Sequence, residues 1–402
     1  MGGKVIFDTS KDIFRTLRST QWYRTQGFNE VAFGLVRSMS YREAAQMLNR
    51  VRREQEGTPS RTLAHTIETE GSRVQEAIDG KSQQILQDNG FTAEGKPIAE
   101  DSEYGIAPES ASIPTAQVMG AIEEYNEGKD ESARIDVDQV GKSYENSEET
   151  VNISLDDVGV KKQKETGRSP ARERKDKREY VENTVGHVEH GGRRYIFNTS
   201  SIAAIIPLLV AFLLHNKLLG YYLQFFVDGA RNLQGAILRG FSWFRSFSMI
   251  LDWYHLQQKC KTELSLALRN SVLRNSVLEH ILPLLWLGKM DAAIQALRDV
   301  PTDHLKPGKT ADALIAYFER NRPYIPCYAL RKKLGLRNSS NKGEKANDLA
   351  VANRQKHNGM SWSQEGSPAL ATITTLHLNN EEKNWIRHGR VEYKLVDHKA
   401  AA

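Results

Sequence analysis

Residues 151–163 read V-N-I-S-L-D-D-V-G-V-K-K-Q, and the placement of this stretch decides the fold. Apolar and polar residues alternate, with Val151, Ile153 and Leu155 on one side. Two adjacent acids, Asp156 and Asp157, interrupt the pattern; Val158 and Val160 resume it in the opposite phase. A period of two predicts a buried β-strand carrying a carboxylate pair. Burying a carboxylate is costly unless a cation or hydrogen bonds compensate. The pair is therefore either a candidate ligand set for a hard metal ion or an exposed acidic pair on an edge strand.

Downstream lies a basic run: Lys161, Lys162, Lys164, Arg168, Arg172, Arg174, Lys175, Lys177 and Arg178. Such a cluster either grips a phosphate backbone or stays a solvated charge run. Residues 180–190 and 193–200 read as two more strands, with Gly191-Gly192 as a two-residue hairpin turn. The apolar run 202–214 contains Pro207 and is too short to span a bilayer, so a buried helix is expected and no membrane partner. L-Q-F-F-V-D-G (223–229) is a buried strand ending at Asp228, followed by an amphipathic helix. Residues 247–251 form a fifth strand, which ends at Asp252-Trp253-Tyr254-His255. Three antiparallel strands, then two that alternate with helices and run parallel to the first, are the order of an α/β, ribonuclease-H-like mixed sheet. Strands one and four can then be neighbours, with Asp156 facing Asp228, a closeness that calls for a metal. Residues 255–322 read as an all-helical insertion (domain limits 259–335). A helix from about Gly343 carries Glu344, Asn347, Asp348 and Val351 on neighbouring turns.

Upstream, residues 1–90 read as helical, with Trp22, Tyr23, Phe28, Val31, Phe33, Leu35 and Val36 supplying a small core. Ser40 and Glu43 fit a capping box. After a break at residues 56–59, a second helix carries Arg61 and His65 near its start, which suits a helix-turn-helix DNA-binding domain. Residues 91–150 are acidic and polar, and are expected to form a linker with a short helix around 113–125. The chain has 402 residues, 39% of them hydrophobic, and a net charge of +5, which mildly favours a polyanionic partner. No basic segment followed by an apolar core stands at the N-terminus, so no signal peptide is expected. Two cysteines, Cys260 and Cys327, do not support a disulfide scaffold or a Cys-only zinc site, and a reducing compartment fits. A zinc set of Asp252, His255 and Cys260 lacks a fourth ligand. His187 and His190 flank the hairpin and read as structural or solvent-facing. Trp286 is either helical core or a stacking platform for an unpaired base.

Four segments, V-N-I-S-L-D-D, F-F-V-D-G-A-R-N-L, I-L-D-W-Y-H-L and N-K-G-E-K-A-N-D-L followed by N-G-M-S-W, together resemble a bacterial insertion-sequence transposase of the ISLre family, related to Mutator-like transposases. The resemblance spans roughly residues 151–375. It implies a DDE transposase whose core (151–258 and 336–402) holds two Mg²⁺ or Mn²⁺ ions on Asp156, Asp228 and Glu344. It also implies support from Asp252 and His255, which are similar to a D-or-C-x-x-H element, and from the adjacent Asp157. The expected reaction is cleavage at the ends of the element in double-stranded DNA and strand transfer into target DNA. A cytoplasmic, nucleoid-associated homo-oligomer is implied with it. A nuclease without strand transfer and a non-enzymatic DNA-binding derivative are the alternatives.

Overall fold

The computed structural model describes residues 26–52, 57–99, 109–164, 179–356 and 360–397. Trp22, Tyr23 and, in the basic run, Arg168, Arg172, Arg174, Lys175, Lys177 and Arg178 lie outside them. Helices α1 (Gln26–Ser38), α2 (Tyr41–Arg52), α3 (Ser60–Asp88) and α4 (Thr115–Asn126) precede β1 (Thr150–Lys161), β2 (Tyr180–His190) and β3 (Arg193–Thr199). Then α5 (Ile202–His215), β4 (Tyr222–Val227), α6 (Arg231–Gly240) and β5 (Phe247–Leu251) alternate. A helical block follows: α7 (Trp253–Ala267), α8 (Ser271–Trp286), α9 (Met290–Arg298), α10 (Asp312–Asn321) and α11 (Tyr328–Lys333). Next, α12 (Asn341–Asn347) runs through a π-helical turn, Asp348–Ala352, into α13 (Asn353–Gln355). The described chain continues through α14 (Gly366–Leu378), α15 (Glu382–His388) and a short β6 (Val396–Asp397).

The six strands form one mixed sheet in the order β5-β4-β1-β2-β3-β6. Strand β1 is antiparallel to β2 and parallel to β4; β2–β3 is antiparallel and β4–β5 parallel. Because β1 is unbroken, the change of phase across its acids is a change of buried face. Val151, Ile153 and Leu155 pack under α5 and α6, whereas Val158 and Val160 join a second core with α3 and α14. Both faces of the sheet are covered, so the central strand reads apolar in both phases. Ser201 caps α5, which is buried along most of its length despite Pro207. No helix among the described residues is long and apolar enough to cross a membrane.

Two expected boundaries do not hold. The N-terminal helices are not set apart: Phe33, Val36, Leu48, Leu63 and Ile67 share one core with β1, β2 and α14. The capping box is formed, with Ser40 N donating to Glu43 Oε2 at 2.9 Å and Glu43 N to Ser40 Oγ at 3.2 Å. However, α3 runs 29 residues and packs along α14 and α5. Nor is the whole polar segment 91–150 a linker. Val118, Ile122, Ile135 and Tyr144 pack against Leu287, Ala329, Leu330 and Leu336 of the helical block. Arg331 and Glu145 form a buried, two-pronged ion pair that holds this strap in place. Its acidic composition hid a short apolar set that is satisfied by a distant partner.

Candidate functional site

Strand register builds the site. Ser154 of β1 lies opposite Phe226 of β4. Two residues further along each parallel strand, Asp156 and Asp228 fall side by side on the same face. Asp228 stands just past the end of β4 and accepts a hydrogen bond from Ala230 N at 2.8 Å. The turn there needs Gly229, with φ at +88°. A Cβ on it would lie 2.3 Å from Tyr317 Oη of α10. The helical block thus leans on the turn that carries Asp228, and Gln234 of α6 donates to Asn321 of α10 at 2.8 Å beside it.

Helix α12 brings the third acid. It lies across β1 and β2, and its approach depends on Gly343, where a Cβ would meet Ser154 Cβ at 2.5 Å. Glu344 follows directly. Asp156, Asp228, Glu344, His255 and Asn347 line one small cavity of about 10 Å³, room for a single water-sized particle. Around it, Glu344 Oε1, His255 Nδ1 and Asn347 Oδ1 are buried without a hydrogen-bond partner. His255 Nδ1 is 3.4 Å from Asp252 Oδ1 and 3.8 Å from Glu344 Oε1, and is well aligned with neither.

Burial is the main influence on the acids around the cavity. Burial, then the neighbouring Asp228, pushes Asp156 up to about 6. Burial, then Asp252, also raises Glu344. His255 is raised by Asp252 against the opposing effect of burial. Burial alone would raise Asp252, but hydrogen bonds from His255 and Ser340 outweigh it and hold that carboxyl below its usual range.

Asp252, His255 and Glu344 are close enough to hold a cation together, their ligand atoms lying within 4.8 Å of one another. The hydrogen bonds of Asp252 argue for a different role. Fully buried, it caps α7 through His255 N at 3.1 Å, and its other oxygen accepts from Ser340 N and from Ser340 Oγ at 2.9 Å. It is a clip joining the ends of two helices, and it aims His255 and Glu344. Asp157 does not join the site. It lies on the opposite face of β1, accepting from Thr184 Oγ1 at 2.6 Å and from Asn232 Nδ2 at 3.4 Å.

The zinc set is not assembled, because Cys260 sits in the apolar core of the helical block and burial pushes its thiol up to about 12. His190 is held by Thr150 O at 3.1 Å, and His187 is buried. Trp286 stacks on Tyr328 with Trp253 edge-on, as core. Arg61 and His65 are exposed on the first two turns of α3, and Lys161 is exposed at the end of β1. Lys162 pairs with Glu179 at 2.9 Å, and Lys164 is also engaged in a contact. Sequence reasoning named Asn347 only as a neighbour of Glu344 and missed its bond to Asp156 Oδ2; the spacing of three from Glu344 was the available signal.

No known family model matches the chain, and neither does any curated protein or solved structure.

Proposed function

We propose that the protein is a metal-dependent phosphodiester-cleaving and strand-transferring enzyme of the DDE transposase kind, with Asp156, Asp228 and Glu344 as its carboxylate triad. The observation that carries this is the convergence of three acids, from β1, the end of β4 and α12, on one cavity with an unpaired Glu344 oxygen. The strand order and senses support the ribonuclease-H-like reading of the sheet. The sequence resemblance points the same way.

The residues fit a divalent-cation centre. Their donors are oxygens, which suit Mg²⁺ or Mn²⁺, and Asp156 is raised first by burial and then by the neighbouring Asp228. When bound, such cations polarise the phosphate and favour the attacking water or 3′-hydroxyl in its deprotonated form. The chain's own contribution is position and charge. Asp156 and Asp228 are fixed on neighbouring strands, and Glu344 is fixed by the close seat of α12. In cleavage the oxygen of water bonds to phosphorus as the 3′-oxygen leaves and takes up a proton; in joining, the freed 3′-hydroxyl loses its proton and its oxygen bonds to a target phosphorus as the target's own 3′-oxygen leaves and takes up a proton. The exposed start of α3 and end of β1 supply basic DNA contacts through Arg61, His65 and Lys161.

The test incubates the purified chain with linear duplex bearing the sequences that border its gene, in Mg²⁺ or Mn²⁺. Cleavage, and joining of a pre-cut 3′-hydroxyl end to plasmid, are expected, and both should vanish in Asp228→Asn and Glu344→Gln. Cutting without joining would replace the proposal by a plain nuclease. No metal-dependent cutting of any DNA would sink it.

A further inference from the structure

Of the three buried unpaired atoms around the cavity, one belongs to a residue outside the triad and its supports: Asn347 Oδ1. Asn347 is 6% exposed and sits one helical turn beyond Glu344, on the same side of α12. Its Nδ2 donates to Asp156 Oδ2. An ionised carboxylate only accepts hydrogen bonds, so the amide must present its nitrogen to Asp156 and turn its oxygen away. That oxygen remains buried, on a residue lining the cavity. The acids sharing the cavity, Asp156, Asp228 and Glu344, are acceptors when ionised and offer it no proton. An apolar side chain would fill the position without leaving a carbonyl oxygen stranded. His255, whose Nδ1 is likewise buried and unpaired, shares the cavity, so the missing partner is a small proton donor or a cation, and amide oxygens are ordinary ligands of hard divalent cations.

We propose that Asn347 is a further ligand of the cation centre: its Oδ1 binds the ion that Asp156 and Glu344 hold, and its Nδ2 fixes the Asp156 carboxylate toward that ion. This rests on the cation-site reading above.

The test is Mn²⁺ binding to the metal-free full chain, followed by calorimetry and by the spin-resonance signal of free Mn²⁺. The variants are Asn347→Leu, Asn347→Asp and Glu344→Gln, with folding checked by circular dichroism. Asn347→Leu should weaken binding about tenfold or more, while Asn347→Asp, which keeps an oxygen, should bind at least as tightly as the parent. Asn347→Ser, too short to reach, takes the place of Asn347→Leu if that variant does not fold. Parent-like affinity in Asn347→Leu or Asn347→Ser overturns the proposal, as does equal loss in Asn347→Asp. If Glu344→Gln loses binding and Asn347→Leu does not, only the Asn347 role fails. If the parent shows no saturable Mn²⁺ binding, the cation-site reading fails with it.

Discussion

A single side chain, Asp156, links the candidate site to the stability of the fold. Its carboxyl is raised from 3.8 to about 6, so the fold disfavours its charge. Stability linked to it is therefore highest below pH 3.8, where the group is neutral folded or unfolded, and is lost as pH rises through about 6. The difference corresponds to about 3 kcal/mol at 1.36 kcal/mol per decade. Asp156→Asn should therefore stabilise the metal-free protein at pH 8 by about 1–3 kcal/mol, with the gain shrinking toward pH 4, measured by urea unfolding. An Asp156→Asn protein no more stable at pH 8 than the parent would show that its charge is already compensated. The pattern of residues 151–163 made Asp156 legible as a buried acid. It left open which of the two acids mattered, because only the partner strands and covering helices decide which face holds the site.

At the scale of elements, Asp252 separates scaffold from ligand. It joins the start of α7 to the residues leading into α12, so its removal frees Ser340 N and His255 N at once. Asp252→Ala should cost about 2–4 kcal/mol in urea unfolding and lower cleavage by displacing Glu344. Asp228→Ala should be neutral or slightly stabilising without metal. Equal stability of the two variants would refute the division. Strand order, the Gly191-Gly192 hairpin and the strand limits 247–251 were readable because alternation and turn residues are local signals. Helix caps made at a distance were not. Nothing in D-W-Y-H announces that its acid also accepts from Ser340, 88 residues away. The two-residue β6 was too short to carry any period.

For the whole molecule, the strap over residues 109–149 and the helical block are one structure. Arg331 and Glu145, at 4% and 6% side-chain exposure, meet between them. Arg331→Met strands a buried carboxylate and should cost about 3–5 kcal/mol, while adding Glu145→Met should restore most of it. Thermal unfolding checks both, and a silent Arg331→Met would mean that the strap docks without the pair. Composition suggested a linker because the apolar residues there are few and their partners lie beyond residue 286. A different consequence concerns the growing chain. Asp156 and the Asn347 amide that holds it are 191 residues apart. At about 5–20 residues per second, a ribosome needs about 10–40 s to make the second after the first. Throughout that interval Asp156 and Asp228 lack α12, and a chain cut short before α12 lacks Glu344 altogether. The centre is thus assembled late in translation, and an unfinished chain lacks the complete set of residues that the proposed cation site requires.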